Sequence, residues 1–320
     1  MLNVSDVRNI PGVRIGNWED ENAATGCTVI IADKGASAGV DIRGGAPGTR
    51  ETDLLDPVNL VDRVHAVFIS GGSAFGLDAG GGIMRYLEER GIGFDVGVTR
   101  VPIVTGAVLF DLAFGDHKIR PGNEAGYKAS IASERGSFEE GNHGAGTGAT
   151  VGKAKGMEYA MKGGLGSFCY ESNGLLVGAV VAVNAFGNVL DPKKNEYLAG
   201  VLTDDGKRIL DAEKIVLETA KNEKIEFNGN TSIGVVITNG SFDKAKCKKI
   251  AQMAHNGFAR TIRPSHTQLD GDSIFAMSTG EVHADINAVG ILAADAVAQA
   301  VQRAIKEAES IHGVLSFKDI

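Results

Sequence analysis

Apolar and polar positions fall into blocks along this chain rather than into one steady rhythm. Val64-His65-Ala66-Val67-Phe68-Ile69, Leu175 to Phe186 and Ile233-Gly234-Val235-Val236-Ile237-Thr238 are nearly unbroken apolar runs rich in β-branched residues. Such runs predict strands buried on both faces. Gly12-Val13-Arg14-Ile15-Gly16 and Gly26-Cys27-Thr28-Val29-Ile30-Ile31 are shorter runs between turns, so residues 10–45 read as short antiparallel strands. A further strand is predicted at Ser273–Ser278.

Between these runs the period changes. After the turn Gly71-Gly72-Ser73-Ala74-Phe75-Gly76 a helix is predicted to about Arg90, with Gly91 as its C-terminal cap. Residues 117–142 are polar and partly helical. Residues 205–230 read as a charged helix and a polar, exposed connection into Thr231. Ile250, Met253, Ala254 and Phe258 share one helical face, which predicts a helix to about Arg260 capped by Ser241 or Asp243. The run Lys244-Ala245-Lys246-Cys247-Lys248-Lys249 is expected on its wet face. A small-residue helix from Ala284 to about Glu309 closes the chain. Strands and helices mix without a strict βαβ rhythm. That favours a layered α/β sandwich with mostly antiparallel or mixed sheets over a Rossmann fold. With no repeat and no long linker, residues 1–320 read as a single domain.

Composition narrows the function classes. Apolar residues make up 43% of the 320 and charged residues 22%, ordinary for a soluble globular protein. The net charge of −8 argues against a nucleic-acid surface, which needs a basic stripe. Three cysteines, Cys27, Cys169 and Cys247, have neither metal-site spacing nor an even count for a disulfide framework. No signal peptide and no membrane span is expected, and a reducing cytoplasm is the default. Glycine is the outlier: 44 residues, about twice the usual share of about 7%. They are dispersed among the strand-like segments, which implies many tight turns and close backbone approaches.

Candidate chemistry starts at Gly229-Asn230-Thr231-Ser232, where a small polar turn runs straight into the apolar strand. If the Asn230–Thr231 bond breaks, Thr231 acquires a free α-amine beside its own hydroxyl, and that amine is a built-in general base. Taken alone, the tetrapeptide also looks like an ordinary turn before a strand. Other motifs fall short of familiar signatures. Ser73 lacks a Gly two residues on, so it is not a nucleophile elbow. Gly144–Lys153 is Gly-rich, but Thr147 and Ala154 break the phosphate-loop pattern. Lys153 reads either as a surface lysine or as one partly desolvated beside packed glycines. Asp270-Gly271-Asp272 is either a solvated turn or a carboxylate pair that orients a nucleophile. Asn184, ending a buried run, either satisfies local backbone or donates to a developing oxyanion. Neither His255, on a predicted helix, nor His266 has the partner spacing of a zinc helix, and no metal is expected.

Together, Gly44–Leu55, Ser70–Gly80, Gly144–Lys153, Val183–Gly187, Asn230–Asn239 and Ile262–Gly280 resemble the DmpA-like family of N-terminal-nucleophile-type hydrolases, peptidase family S58. Aminopeptidases, amidases and the endo-type nylon-oligomer hydrolase belong to it, and the chain looks closest to that last branch. The resemblance implies a four-layer αββα sandwich and autocleavage between Asn230 and Thr231 into residues 1–230 and 231–320. It implies Thr231 as nucleophile, Lys153 as the site lysine, Asn184 on the oxyanion side and Asp270 and Asp272 as the acidic pair. Phe110 stands where relatives carry a site tyrosine, and it has no hydroxyl to donate. The implied substrate is a small peptide or amide, with no cofactor, nucleic acid or membrane partner, and the implied assembly is a homo-oligomer, commonly a tetramer. Two alternatives stay open: a non-cleaving binding protein of the same fold, and an acyltransferase.

Overall fold

In the strands with unbroken apolar runs, residues alternate between two cores, which is why those runs show no polar side. The computed structural model describes residues 2–219 and 229–320. Among the described residues ten strands are hydrogen-bonded together: β1 (Asn3–Ser5), β2 (Arg14–Asp20), β3 (Thr25–Ile42), β4 (Thr49–Arg50), β5 (Val64–Ser70), β6 (Val104–Val108), β7 (Gly164–Ser172), β8 (Leu175–Asn184), β9 (Thr231–Gly240) and β10 (Ser273–Val282). Their order is β1-β7-β8-β9-β10-β3-β5-β6-β4, with β2 also on β3. The helices are α1 (Ala79–Glu88), α2 (Asn123–Glu134), α3 (Ala212–Glu218), α4 (Lys244–Thr261) and α5 (Ile286–Glu307).

β3 turns this path into two stacked sheets. The two expected strands are β2 and β3, paired antiparallel, but the second runs far past Ile31: it has 18 residues, with a shift of register between Ile31 and Ala36. The irregularity falls at Asp33-Lys34-Gly35, where Asp33 and Lys34 are exposed and Gly35 holds φ +71°. Before it, Cys27–Ile31 pair with β5; after it, Ser37–Ile42 pair with β10.

Three apolar clusters fill the gaps between four layers. In β8, Val177, Ala179, Val181 and Val183 face α4 and α5, while Leu176, Val180 and Ala182 face the other sheet. β10 splits the same way, Ile274 and Ala276 outward, Phe275 and Met277 inward. In the second sheet Val67 and Ile69 point inward, and Ala66 and Phe68 pack under α1 and α2. The layers are therefore α4/α5, sheet, sheet, α1/α2, the αββα sandwich that the resemblance implies. This period-two alternation with both faces covered is the physical reason for the unbroken apolar runs.

Helix ends follow their local chemistry. Asp243 caps α4 by accepting from the Lys246 N–H at 2.8 Å, and Asp285 caps α5 through the N–H groups of Asn287 and Ala288. Gly91 follows α1 in the left-handed region, as expected. α5 is long and apolar enough to cross a bilayer, yet Val289, Ala293, Val297, Val301 and Ile305 are spent on the core. The lysine run on α4 is only partly wet. Lys244 is buried and donates to the carbonyls of Asn59 and Val61, at 2.8 and 3.1 Å, and Cys247 sits in the core. Of the charged stretch before Thr231, α3 is helical with Asp211 as its cap, and residues 220–228 lie outside the described residues.

Phe275, wholly buried at the centre of the inter-sheet core, tests this layering. Phe275→Ala is expected to lower the unfolding free energy by about 3–5 kcal/mol. Urea unfolding should show the midpoint fall at constant slope.

Candidate active site

Thr231 is the first residue of β9 and is 4% exposed. On one side it pairs with Asn184, the last residue of β8. On the other side β9 runs parallel to β10, and Asn230 bridges to Asp270 just ahead of that pairing. In the intact chain the Thr231 hydroxyl donates to the carbonyl oxygen of Asn230. The same oxygen accepts the Gly271 backbone N–H at 2.8 Å. A Cβ at position 271 would lie 2.6 Å from Thr231 Oγ1 and 2.9 Å from the Ala46 carbonyl oxygen. Only glycine lets the Asp270–Asp272 loop come this close to the hydroxyl.

The two carboxylates flanking Gly271 are buried, not solvated as one sequence reading allowed. Asp270 Oδ2 accepts from the Thr267 N–H at 2.9 Å and from its hydroxyl at 2.6 Å; Oδ1 accepts from the Phe186 N–H at 3.4 Å. Burial, reinforced by the neighbouring Asp272 charge, pushes the Asp270 carboxyl up to about 6. Asp272 Oδ1 accepts from the Ser232 N–H at 2.8 Å, which ties the loop to β9 itself. Its Oδ2 accepts from the backbone N–H and from Nδ1 of His266, at 3.0 and 2.9 Å. The Gly44-Gly45-Ala46 segment straps this loop down: Gly44 N–H donates to the Asp272 carbonyl and Ala46 N–H to the Asp270 carbonyl, at 3.2 and 2.8 Å.

Lys153 is wholly buried, so the surface reading falls. Its Nζ donates to Asn184 Oδ1 at 2.7 Å, to the Gly229 carbonyl at 3.2 Å and to the Asn184 carbonyl at 3.3 Å. Desolvation drives its pKa down to about 7, against the pull of Asp270 and Asp111. Asn184 is occupied on both ends of its amide. Oδ1 accepts from Lys153 and from the Thr150 N–H, and Nδ2 donates to the Phe110 carbonyl at 3.0 Å. Both sequence readings of Asn184 thus receive a partial answer: it satisfies backbone and anchors the lysine, and its N–H group is turned toward Phe110. Phe110 packs on the chain just before Asn230. Gly229 holds φ +52°, and a Cβ there would stand 2.1 Å from Phe110 Cγ.

Thr231, Lys153, Asn184, Asp270, Asp272 and Phe110 therefore meet in one place. Two neighbours went unread in the sequence. Asp111 accepts from Thr25 Oγ1 and the Gly72 N–H, at 2.6 and 2.7 Å, and burial raises it to about 6. Lys162 gives its donors to two carbonyls of the Gly-rich segment, Gly146 and Ala149, and to that of Gly163, at 2.8–3.0 Å, and burial lowers it to about 7. The signal for both was an ionisable residue embedded in small or apolar neighbours, in Leu109-Phe110-Asp111 and Met161-Lys162-Gly163.

A cleft of about 140 Å³ opens on Thr231, lined by Ala46, Pro47, Gly48, Ser73, Ala74, Val108, Phe110 and the 229–231 segment. A larger groove of about 680 Å³, lined by Arg8, Glu140, His143 and Arg303 among others, shares no residue with it. Of these two cavities the small cleft is the one that reaches Thr231, whose neighbours are the buried lysine and the acid pair.

A family model described as Peptidase family S58 matches residues 5–317. An uncharacterized aminopeptidase of Mycobacterium tuberculosis (strain ATCC 25618 / H37Rv) is 39% identical over 99% of this chain and 98% of its own length. A 6-aminohexanoate-oligomer endohydrolase of Agromyces sp. (strain KY5R) is 30% identical, covering 86% of this chain and 75% of that protein. Among solved structures, the L-aminopeptidase D-Ala-esterase/amidase from Ochrobactrum anthropi, a variant of the Ntn hydrolase fold, superposes with a TM-score of 0.70 at 20% identity. It covers 96% of this chain and 87% of its own. A Burkholderia sp. β-aminopeptidase does so with a TM-score of 0.66 at 19% identity, over 96% and 88%. These two likenesses are of fold. The family match spans nearly the whole chain and meets the sandwich already described, so this protein belongs to peptidase family S58, a family of amide-bond hydrolases.

Proposed function

We propose that the chain cuts itself between Asn230 and Thr231, and that the freed Thr231 then hydrolyses amides through an acyl-enzyme. One observation carries the reading. The Thr231 hydroxyl rests against the carbonyl of the residue before it, while the Gly271 N–H holds that carbonyl oxygen at 2.8 Å. A backbone donor aimed at the oxygen where negative charge develops is the device that lowers acyl-transfer barriers most.

In processing, Thr231 Oγ1 bonds to the Asn230 carbonyl carbon, and the hydroxyl proton passes to the departing nitrogen as the C–N bond breaks. Water cleaves the resulting ester. Asn230 is left as a carboxylate and Thr231 with a free α-amine. In turnover that amine takes the hydroxyl proton as Oγ1 attacks a substrate carbonyl, and returns it to the leaving amine. Gly271 N–H serves the second oxyanion as it served the first. Asp272 holds β9 by its Ser232 N–H, Asp270 holds the loop through Thr267, and Lys153 adds positive potential beside Asn184 and Gly229.

The cleft also bears on the substrate. Among the described residues its lining carries no charged side chain. Both carboxylates of the Asp270–Asp272 loop are already engaged by donors. This favours an acyl portion that is small and uncharged near the scissile bond over one recognised by its ammonium group.

Denaturing electrophoresis with intact mass measurement tests the cut. The wild type should give two fragments with the new N-terminus at Thr231, Thr231→Ser should retain cleavage and Thr231→Ala should stay whole; a split Thr231→Ala chain ends the proposal. Gly271→Ala forces a methyl group against Thr231 Oγ1, and processing is expected to slow by roughly 10²-fold or more. The third test is pH. Asp270 takes up its proton as pH falls through about 6, which removes an acceptor its donors need. Turnover should drop below that pH, and Asp270→Asn should lose this limb while running at a lower plateau.

A further inference from the structure

We propose that His266 is a positioning residue: its imidazole clamps the Asp272 carboxylate, and through it sets the Gly271 N–H and the start of β9 for attack at Asn230. The inference rests on the reading of Thr231 as the nucleophile.

Asp272 is 2% exposed and therefore depends on protein donors. Among the described residues it has three: the Ser232 N–H on Oδ1, and the backbone N–H and Nδ1 of His266 on Oδ2. A carboxylate only accepts, so Nδ1 carries its proton toward Asp272. One residue thus supplies two of the three donors, and the third belongs to the peptide that follows the nucleophile. Between Asp270 and Asp272 sits Gly271, whose N–H reaches the scissile carbonyl. A carboxylate held from both sides keeps that N–H from drifting, and drift at an oxyanion donor is costly.

The backbone at His266 is bent to make this possible. His266 holds φ +59°, a conformation that few non-glycine residues adopt. Its ring is locked by packing edge-on against His255, with centroids 4.8 Å apart, and His255 is itself fixed by Nε2–H donating to the Asp41 carbonyl at 2.9 Å. Strain and double donation converge on one carboxylate, which is how a site residue is preorganised.

The test uses full-length precursor made by cell-free translation, with cleavage followed on denaturing gels as a first-order rate. His266→Gly keeps the backbone conformation and the backbone donor and removes only the imidazole. His266→Asn tolerates the same φ and restores a side-chain donor. The glycine variant should cleave roughly 10- to 100-fold more slowly than wild type, and the asparagine variant within about threefold of it. In the mature enzyme the loss should fall on kcat and leave KM nearly unchanged, a split that a merely structural role would not give. Wild-type rates in His266→Gly overturn the proposal and leave Thr231 standing. Equal slowing in both variants overturns it too, because ring packing rather than donation would then matter. Should His266→Gly fail to fold, His266→Asn decides alone: a drop beyond about tenfold overturns the clamp. A wild type that stays whole removes the parent reading and this one with it.

Discussion

β9 and β10 run parallel and side by side, and their register brings the loop before β10 against the residue before β9. That single pairing makes the site. It puts Gly271 N–H on the Asn230 oxygen and Asp272 on the Ser232 N–H, and it leaves room for the Thr231 hydroxyl only because residue 271 has no side chain. A slip of one residue would turn the strand's side chains to the opposite core and take the donor away from the carbonyl. The register is in turn pinned by the apolar alternation on both faces, Ile233, Val235 and Ile237 on one and Val236 on the other. Packing far from the chemistry thus decides which amide lies under the hydroxyl.

Around this strand end the protein buries, besides Asp272, the ionisable groups of Lys153, Lys162, Asp111 and Asp270. Burial alone disfavours their charged forms, and each is brought toward the neutral range from its own side, the lysines downward and the acids upward. Each is held by named partners. Lys162 knits the Gly-rich segment by two carbonyls, of Gly146 and Ala149, and Lys153 ties that segment to Asn184 and Gly229. Buried charges of this kind are weak evidence for stability and better evidence for a site, since an apolar core would be simpler to build.

Much of this architecture was legible in the residues. The apolar runs at 64–69, 175–186 and 233–238 are strands, the caps at Asp243 and Gly91 act as caps, and the terminal small-residue helix lies in the core. These are local properties: β-branched side chains, Asp accepting from the first turn and glycine in the left-handed region act within a few residues. What misled were features whose meaning lies across the fold. Gly26–Ile31 looks like a short strand and is the first part of an 18-residue strand shared by two sheets. The α4 lysine run looks wet, yet Lys244 is buried because two carbonyls from the 59–61 segment come to meet it.

The candidate site divides in the same way. The residues themselves marked Thr231 as a hydroxyl at the mouth of a buried strand, and they marked Lys153, Asn184, Asp270 and Asp272 as groups worth explaining, each with an ordinary alternative. They also determined the strand's two-faced apolar pattern, because hydrophobic periodicity is written residue by residue. Tertiary structure alone decided that Lys153 is dry, that Asn184 turns its N–H group to Phe110, that Gly271 supplies the donor and that His266 stands behind Asp272. Burial, donor direction and the meeting of segments dozens of residues apart depend on how sheets stack, and no short stretch of sequence contains that information.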